Sequence, residues 1–276
     1  MNALEDTRPT PVLRPPRWRT LLMSLSALIV AGLWLLGTPP GVMGKATAIG
    51  YAICHQIVSR SFLIEADPMP LCARCTGIYL GVAAALILAL VRGRVRVGRV
   101  PPLPILLVFG VFVAFMGIDG VNSYFHLFPG FTGIYEPNNT LRLVSGMLCG
   151  IAVGTVLLPM FNRAVWAEVD SRRVLDGWAD LGALLAIGAV LIGLILAERP
   201  LFRLILGLVS VTCVFVMLCL IGCALFFTLS RRVPAQRWRD LISPLWLGVG
   251  VAFTQLGLIT LIRFALTGSW GGLIIG

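Results

Sequence analysis

Apolar residues run in seven long stretches along this chain, and polar residues gather in short connections between them. The stretches cover about 20–37, 71–91, 103–119, 141–160, 179–197, 203–229 and 242–266. A helix rises ~1.5 Å per residue and a bilayer's hydrocarbon core is ~30 Å thick, so ~20 apolar residues suffice to cross it. Lipid offers no partner to a backbone N–H or C=O, which favours helices that satisfy these groups internally. Period-two alternation is absent, which argues against a barrel. The pattern predicts an all-α, polytopic helical membrane protein with about seven transmembrane helices. The sixth stretch is long enough to tilt. A short apolar tail, Leu273 to Ile275, comes after the last.

Composition agrees with a lipid solvent. The chain has 276 residues, of which 58% are hydrophobic and 12% charged, and its mean hydropathy is +0.94. A soluble domain carries about 25% charged residues. The net charge of +10 does not predict a nucleic-acid partner, because the basic residues are spread over the connections. Arg8, Arg14, Arg17 and Arg19 precede the first stretch, and Arg92, Arg94, Arg96 and Arg99 follow the second. Arg163, Arg172 and Arg173 follow the fourth, and Arg231, Arg232, Arg237 and Arg239 follow the sixth. These are fifteen of the 22 basic residues. With the N-terminus inside they all fall on the cytoplasmic side, as the positive-inside rule requires. The expectation is a multi-pass protein of the cell membrane with its C-terminus outside. Gly37-Thr38-Pro39-Pro40 lacks a small-x-small cleavage pattern, so the first stretch reads as an uncleaved anchor. Residues 1–19, with Pro9, Pro11, Pro15 and Pro16, read as a disordered basic cytoplasmic tail.

Two outer connections carry the polar chemistry. In the first, residues 38–70, Lys45 to Ile64 reads as an interfacial helix anchored by Tyr51, Ile53, Ile57 and Phe62. The second, roughly 120–141, holds Asn122, Tyr124, His126, Tyr135, Glu136, Asn138 and Asn139. Pro129, Gly130 and Gly133 make it a loop. Both lie on one side of the membrane and are free to meet.

The first connection leads into C-H-x16-C-x2-C: Cys54, His55, Cys72 and Cys75. Three of the seven cysteines and one of two histidines fall within 22 residues, beside Arg60, Arg74, Glu65 and Asp67. Cys72-Ala73-Arg74-Cys75 opens a helix, whose dipole together with Arg74 favours thiolate. Three sulfurs and one imidazole suit zinc in tetrahedral coordination, with iron the second choice. Adjacent residues on a regular helix point apart, so Cys54 and His55 ligate together only where the backbone breaks. A redox reading makes Cys72 and Cys75 an exchangeable pair serving a membrane quinone, with Cys54 resolving. A structural reading makes the cluster a zinc or disulfide staple for the loop. Cys149, Cys213, Cys219 and Cys223 lie within apolar stretches and read as small hydrophobes.

A second constellation stands at the ends of the third and fourth stretches. Asp119 closes one and Arg142 opens the next, which invites an Asp119–Arg142 pair. The pair serves either as a lock for the hairpin or as a polar binding wall, which Asn122 and Asn139 complete. Ser145-Gly146, Gly150 and Gly154 offer a small face for close helix packing. His126 reads as a solvated loop histidine, with ligation beside the cysteines across the outer face as the alternative, and Glu198 and Arg199 as an outer turn. Arg263 either faces the polar cavity or snorkels.

The segment Cys54-His55-Gln56, Arg60-Ser61-Phe62 and Leu71-Cys72-Ala73-Arg74-Cys75-Thr76-Gly77-Ile78-Tyr79 resembles the signature of bacterial and archaeal membrane proteins grouped as domain-of-unknown-function family 2085. Asp119-Gly120 and Asn139, Arg142-Leu143 and Gly146 resemble that family's second block. There the aspartate is usually followed by Gly-x-Thr-Gln, where this chain has Gly120-Val121-Asn122-Ser123. The resemblance covers roughly 45–155. It implies a family-like membrane core over 20–160, with additional transmembrane helices over 161–276, and brings no activity with it. The reading for function is an integral membrane protein of unknown substrate, small-molecule or lipid, with an extracytoplasmic metal site of Cys54, His55, Cys72 and Cys75; a metal-dependent membrane enzyme is one form this can take. The catalytic candidates are Asp119, Arg142, Arg60 and Arg74, with an arginine facing the developing anion. The alternatives are a thiol-disulfide oxidoreductase and a transporter or structural protein. A transporter needs a polar path, and the last three stretches offer little beyond Thr212, Thr254, Gln255 and Arg263.

Overall fold

A computed structural model describes residues 17–126, 128, 130, 133–230 and 234–270. Most of the expected tail, along with Pro129, Arg231, Arg232 and Leu273 to Ile275, lies outside the described residues. The chain is helical almost throughout, in the order α1 (Arg17–Gly37), α2 (Gly41–Ile53), α3 (Ala73–Val91), α4 (Leu103–Phe125), α5 (Asn139–Val165), α6 (Trp178–Leu196), α7 (Pro200–Leu229) and α8 (Ile242–Thr267). Six helices among the described residues are long and apolar enough to cross a membrane, and α1 and α2 together bring the number to seven if that bent pair is one span. The bend between them is 107°. It falls at Thr38-Pro39-Pro40, where the prolines supply no N–H to carry a helix on. Lys45 closes the end of α1 by donating to Thr38 O at 2.9 Å, to Thr38 Oγ1 at 2.8 Å and to Leu35 O.

Two expectations need correction. The predicted interfacial helix over Lys45 to Ile64 stops at Ile53, because Cys54 turns extended at φ −119°, ψ 145°. The rest of that segment forms a single turn of 3-10 helix and a two-residue antiparallel ladder, Leu63 opposite Pro68. The third span is longer than its apolar stretch and runs on to Phe125. Asp119 therefore lies inside α4 rather than at its end.

The helix boundaries have local causes. Pro104 and Pro200 sit at the starts of α4 and α7, where a missing N–H costs nothing. The Asn138 side chain caps α5 by accepting from Leu141 N at 2.8 Å, and Gly268 ends α8 at φ +68°.

α3 and α5 form the centre. Gly77 and Gly81 on α3 face Gly146, Gly150 and Gly154 on α5, and a methyl group at Gly150 would stand 1.9 Å from Ile78 O. The small face expected on the fourth span is thus a seam of backbone against backbone. Leu80, Ala84, Leu143, Met147 and Ile151 fill the core around it, with Leu184 from α6 and Leu206 from α7.

The two ends of the bundle differ. At one end a short parallel ladder pairs Val97 with Asp170, Trp166 bridges to Ala235, and Arg94 meets Asp176 and Asp180, each at 2.6 Å. The arginine-rich connections thus meet at one end. At the other end Arg60 donates to Ser123 O at 2.9 Å, Asn139 reaches Ser59 O at 3.2 Å and Arg203 reaches Leu63 O at 2.9 Å. The two polar connections do meet.

Candidate metal centre

The cysteine cluster sits where α2 breaks beside the start of α3. Past Ile53 the chain is extended at Cys54 and left-handed at Gln56, φ +51°. That conformation is uncommon for a residue with a side chain. The break removes the helical constraint on neighbours, so Cys54 and His55 turn toward one point. Cys54 Sγ, a His55 ring nitrogen and Cys72 Sγ all lie within 4.8 Å of one another. Cys54 Sγ is 3.7 Å from His55 Nδ1 and accepts the Cys72 N–H at 3.3 Å. Cys72 is the N-cap of α3, and Cys75 stands one turn on, close enough to act on the Cys54 and Cys72 thiols but outside the set of three donors. Cys54 and Cys72 are buried, against Leu71, Val211 and Val214.

Three contacts hold the break. Gly50 lets the last turn of α2 press on the segment before Cys72; a Cβ there would meet Pro70 O at 2.0 Å. Gln56 donates to Thr47 O at 3.0 Å and to Pro70 O at 2.8 Å. Arg263, from α8, donates to Tyr51 O at 2.6 Å, to Cys54 O at 2.5 Å and to His55 O at 3.1 Å. Its guanidinium stacks 4.0 Å above the Tyr51 ring. So Arg263 neither snorkels nor lines a cavity. It satisfies carbonyls that the end of α2 leaves open, and an arginine within an apolar span was the sequence signal for it.

The thiols are unequal. Hydrogen bonds from Cys72 and Cys75 hold the Cys54 thiol far below the usual range. Cys72, beside the Cys54 sulfur, is pushed up to about 12. Of the cluster's thiols, Cys54 is thus the one whose surroundings favour the thiolate. A thiolate and an imidazole at this separation form a donor set suited to zinc.

The expected Asp119–Arg142 pair is absent. Asp119, fully buried, pairs instead with Arg74, whose Nε donates to Oδ2 at 3.1 Å and whose Nη2 also reaches that oxygen. Tyr135 Oη donates to Asp119 at 2.9 Å and Ser145 Oγ at 3.1 Å. Burial, followed by the bond to Asp119, pushes the Tyr135 hydroxyl up to about 12. Arg142 reaches only Asn139 Oδ1, at 2.8 Å, and its Nε is buried without a partner among the described residues. The reason lies in depth. Asp119 is inside α4, level with the first turn of α3, whereas Arg142 is near the start of α5. Asn122 holds its own loop through Tyr135 O at 2.9 Å and Ile134 N at 2.8 Å.

His126 turns back to Asn122 O at 2.8 Å and does not join the cysteines. Glu65 and Asp67 are exposed in the short hairpin. Cys149, Cys213, Cys219 and Cys223 are buried and free, and none of them joins the donor set. The sequence reading missed the roles of Gln56, Ser123, Ser145 and Tyr135 as partners. Gln56 had one signal, its place directly after the Cys-His pair. A cavity of about 590 Å³ between α1 and α8, lined by Leu33, Trp34, Phe253 and Phe264, lies apart from the cysteines.

The comparisons with known proteins converge on this region. The family model described as predicted membrane protein (DUF2085) matches residues 54–156, from the first cysteine to within α5. An uncharacterized protein of Methanocaldococcus jannaschii is 30% identical over 121 residues, 44% of this chain and 71% of the relative. An uncharacterized protein of Methanothermobacter thermautotrophicus is 33% identical over 104 residues, 38% of this chain and 83% of the relative. No solved structure matches. With a family signature that begins at Cys54 and takes in Cys72, Cys75, Asp119 and Arg142, and with relatives aligned over most of their own length, the chain belongs to the DUF2085 family of membrane proteins.

Proposed function

We propose that this protein is a metal-dependent membrane protein whose extracytoplasmic mouth holds zinc through Cys54, His55 and Cys72. The observation that carries the reading is the convergence of two sulfurs and one ring nitrogen within 4.8 Å. Cys75 stands by as the fourth donor. If it ligates, the site is closed and structural; if it does not, the fourth position is open to water or substrate, as in catalytic zinc sites. In the open form a bound metal polarises a phosphate or carbonyl group or activates water. Arg60, Arg74 and Arg142 stand nearby to face the charge that develops. The orientation rests on the arginine-rich connections, which favour a cytoplasmic N-terminus and, with it, a cluster on the outer side. Residues 161–276 then add helices to a family core, and Arg263 is their contribution to the site.

The test is metal analysis of the protein purified in detergent, combined with thiol titration. The expected result is about one zinc per chain, with Cys54 and Cys72 protected from alkylation until a chelator is added. Reaction of Cys75 in the loaded protein marks an open site, and its protection a closed one. Affinity falls on acidification, because Cys72 must lose a proton to ligate and carries that proton more tightly than a free thiol. Absence of metal together with a Cys72–Cys75 disulfide overturns the reading in favour of thiol exchange, which the Cys54 thiolate beside Cys72 favours in its own right. A reporter fused at residue 65 that reads as cytosolic overturns the orientation.

Arg263 supplies a second test. Arg263→Leu frees the carbonyls of Tyr51, Cys54 and His55 and lets the break relax. Zinc affinity is expected to fall by about 10–100-fold, the usual effect of removing a partner that orients ligands. Competition with a chelating dye measures it, and an unchanged affinity removes Arg263 from the site.

A further inference from the structure

Three guanidiniums gather at the mouth with one carboxylate among them. Arg60 and Arg74 share Ser123, the first on its carbonyl at 2.9 Å and the second on its hydroxyl at 3.1 Å. Arg74 pairs with Asp119, and Ser145 joins Asp119 at 3.1 Å to the Arg142 carbonyl at 3.2 Å. Asn139 accepts from Arg142 at 2.8 Å and donates to the carbonyls of Ser59 and Ser61, at 3.2 and 3.4 Å, on either side of Arg60. Ser123 thus joins the Arg60 and Arg74 guanidiniums, and Asn139 ties the Arg142 guanidinium to the backbone on either side of Arg60. Arg60 is 9% exposed and Arg142 6%. Neither meets a carboxylate among the described residues, and Arg142 Nε has no partner.

That arrangement is out of balance. Asp119 offsets one cation. A zinc ion with three thiolates and a neutral imidazole would return one negative charge, and with fewer thiolates none. Positive charge remains in either case. Burial and the nearby Arg74 push the Arg60 guanidinium down from its ordinary range, which records the crowding. Buried arginines are stable when an anion accepts from them, and the planar guanidinium fork matches oxyanions in two-point contact. A carboxylate presents two oxygens, too few to engage three forks; a phosphate presents three or four. The cluster also reaches water, since the Arg74 side chain is 16% exposed.

We infer that Arg60, Arg74 and Arg142 form a phosphate site beside the cysteine cluster, so that the substrate class is a phosphate-bearing molecule. The inference deepens the metal-centre reading and rests on it for the word substrate; the anion site itself stands on the arginines. The source of the phosphate is either a soluble species or a lipid headgroup, because the cluster lies at the end of α3, α4 and α5, where headgroups would pass.

The test is binding to the full chain in nanodiscs of zwitterionic lipid. Inorganic phosphate is titrated calorimetrically in one arm, and phosphatidate is doped into the discs in the other, read as a thermal shift. The wild type is expected to bind in at least one arm, which identifies the source. Arg142→Gln and Arg60→Gln are expected to weaken binding by tenfold or more while zinc content stays at the wild-type level, and Arg142→Lys to recover part of it. Wild-type protein that binds in neither arm overturns the inference, even if both variants fail to fold. Folded Arg60→Gln and Arg142→Gln proteins that bind as the wild type does overturn it too. Zinc analysis of the same samples keeps the two readings apart: phosphate binding without zinc sinks the metal centre alone, and zinc without phosphate binding sinks the anion site alone.

Discussion

Gly150→Leu yields no correctly folded protein. A Cβ at Gly150 would stand 1.9 Å from Ile78 O and 2.7 Å from Ile78 C, and these are backbone atoms with no rotamer to yield. Overpacking a core costs about 1–3 kcal/mol where side chains can shift. Here α3 and α5 must part by more than an ångström, and the contacts of Gly77, Gly81, Gly146 and Gly154 are lost with them. In lipid that loss is not recovered, because close approach of small residues is itself the attraction between helices. Gly193→Leu in α6 is the control: nothing lies within 4 Å of the Cβ position, and the change gains helix propensity of roughly 0.8–1 kcal/mol. Size-exclusion chromatography and thermal unfolding in detergent separate the two. A Gly150→Leu protein that is monodisperse and melts with Gly193→Leu contradicts the seam.

The second large effect belongs to Asp119. Asp119→Ala removes the acceptor for Arg74 Nε at 3.1 Å, for Tyr135 at 2.9 Å and for Ser145 at 3.1 Å, at a fully buried position. Taking one partner from a buried ion pair costs about 3–5 kcal/mol, since the survivor is left uncompensated. Arg60 and Arg142 lie close by and sharpen the penalty. Asp119→Asn keeps one acceptor and costs less. The diagnostic is the double variant Asp119→Ala with Arg74→Leu, which removes the stranded charge and is expected to be more stable than Asp119→Ala alone. Unfolding midpoints of the four proteins complete a double-mutant cycle. A double variant no more stable than the single one shows that Arg74 is not the partner that matters.

The length of the apolar stretches made the helices legible, since lipid admits few other forms, and α3 to α8 lie where the stretches of Leu, Ile, Val and Ala put them. Gly146, Gly150 and Gly154 announced the seam by their spacing alone. The site was legible as a set of residues and illegible as a set of partners. Hairpin reasoning chose Arg142 for Asp119 because the two are close along the chain, whereas Arg74 arrives from a helix 45 residues away. The end of α2 at Ile53 was hidden as well. The sequence Tyr51-Ala52-Ile53-Cys54-His55 contains no proline or glycine, and the break depends on Gln56 in a left-handed conformation and on carbonyls taken up by Arg263, 209 residues downstream. Such a partnership leaves no trace in local pattern.

The glycine seam also governs what can move. With backbone touching backbone along α3 and α5, neither rod can slide or rotate without a collision, so Cys72 and Arg74 on one and Arg142 and Ser145 on the other keep their spacing as lipid thickness or lateral pressure changes. Cys54 and His55 are placed by other means, since Gln56 and Arg263 tie the elbow after α2 to its neighbours through side-chain bonds.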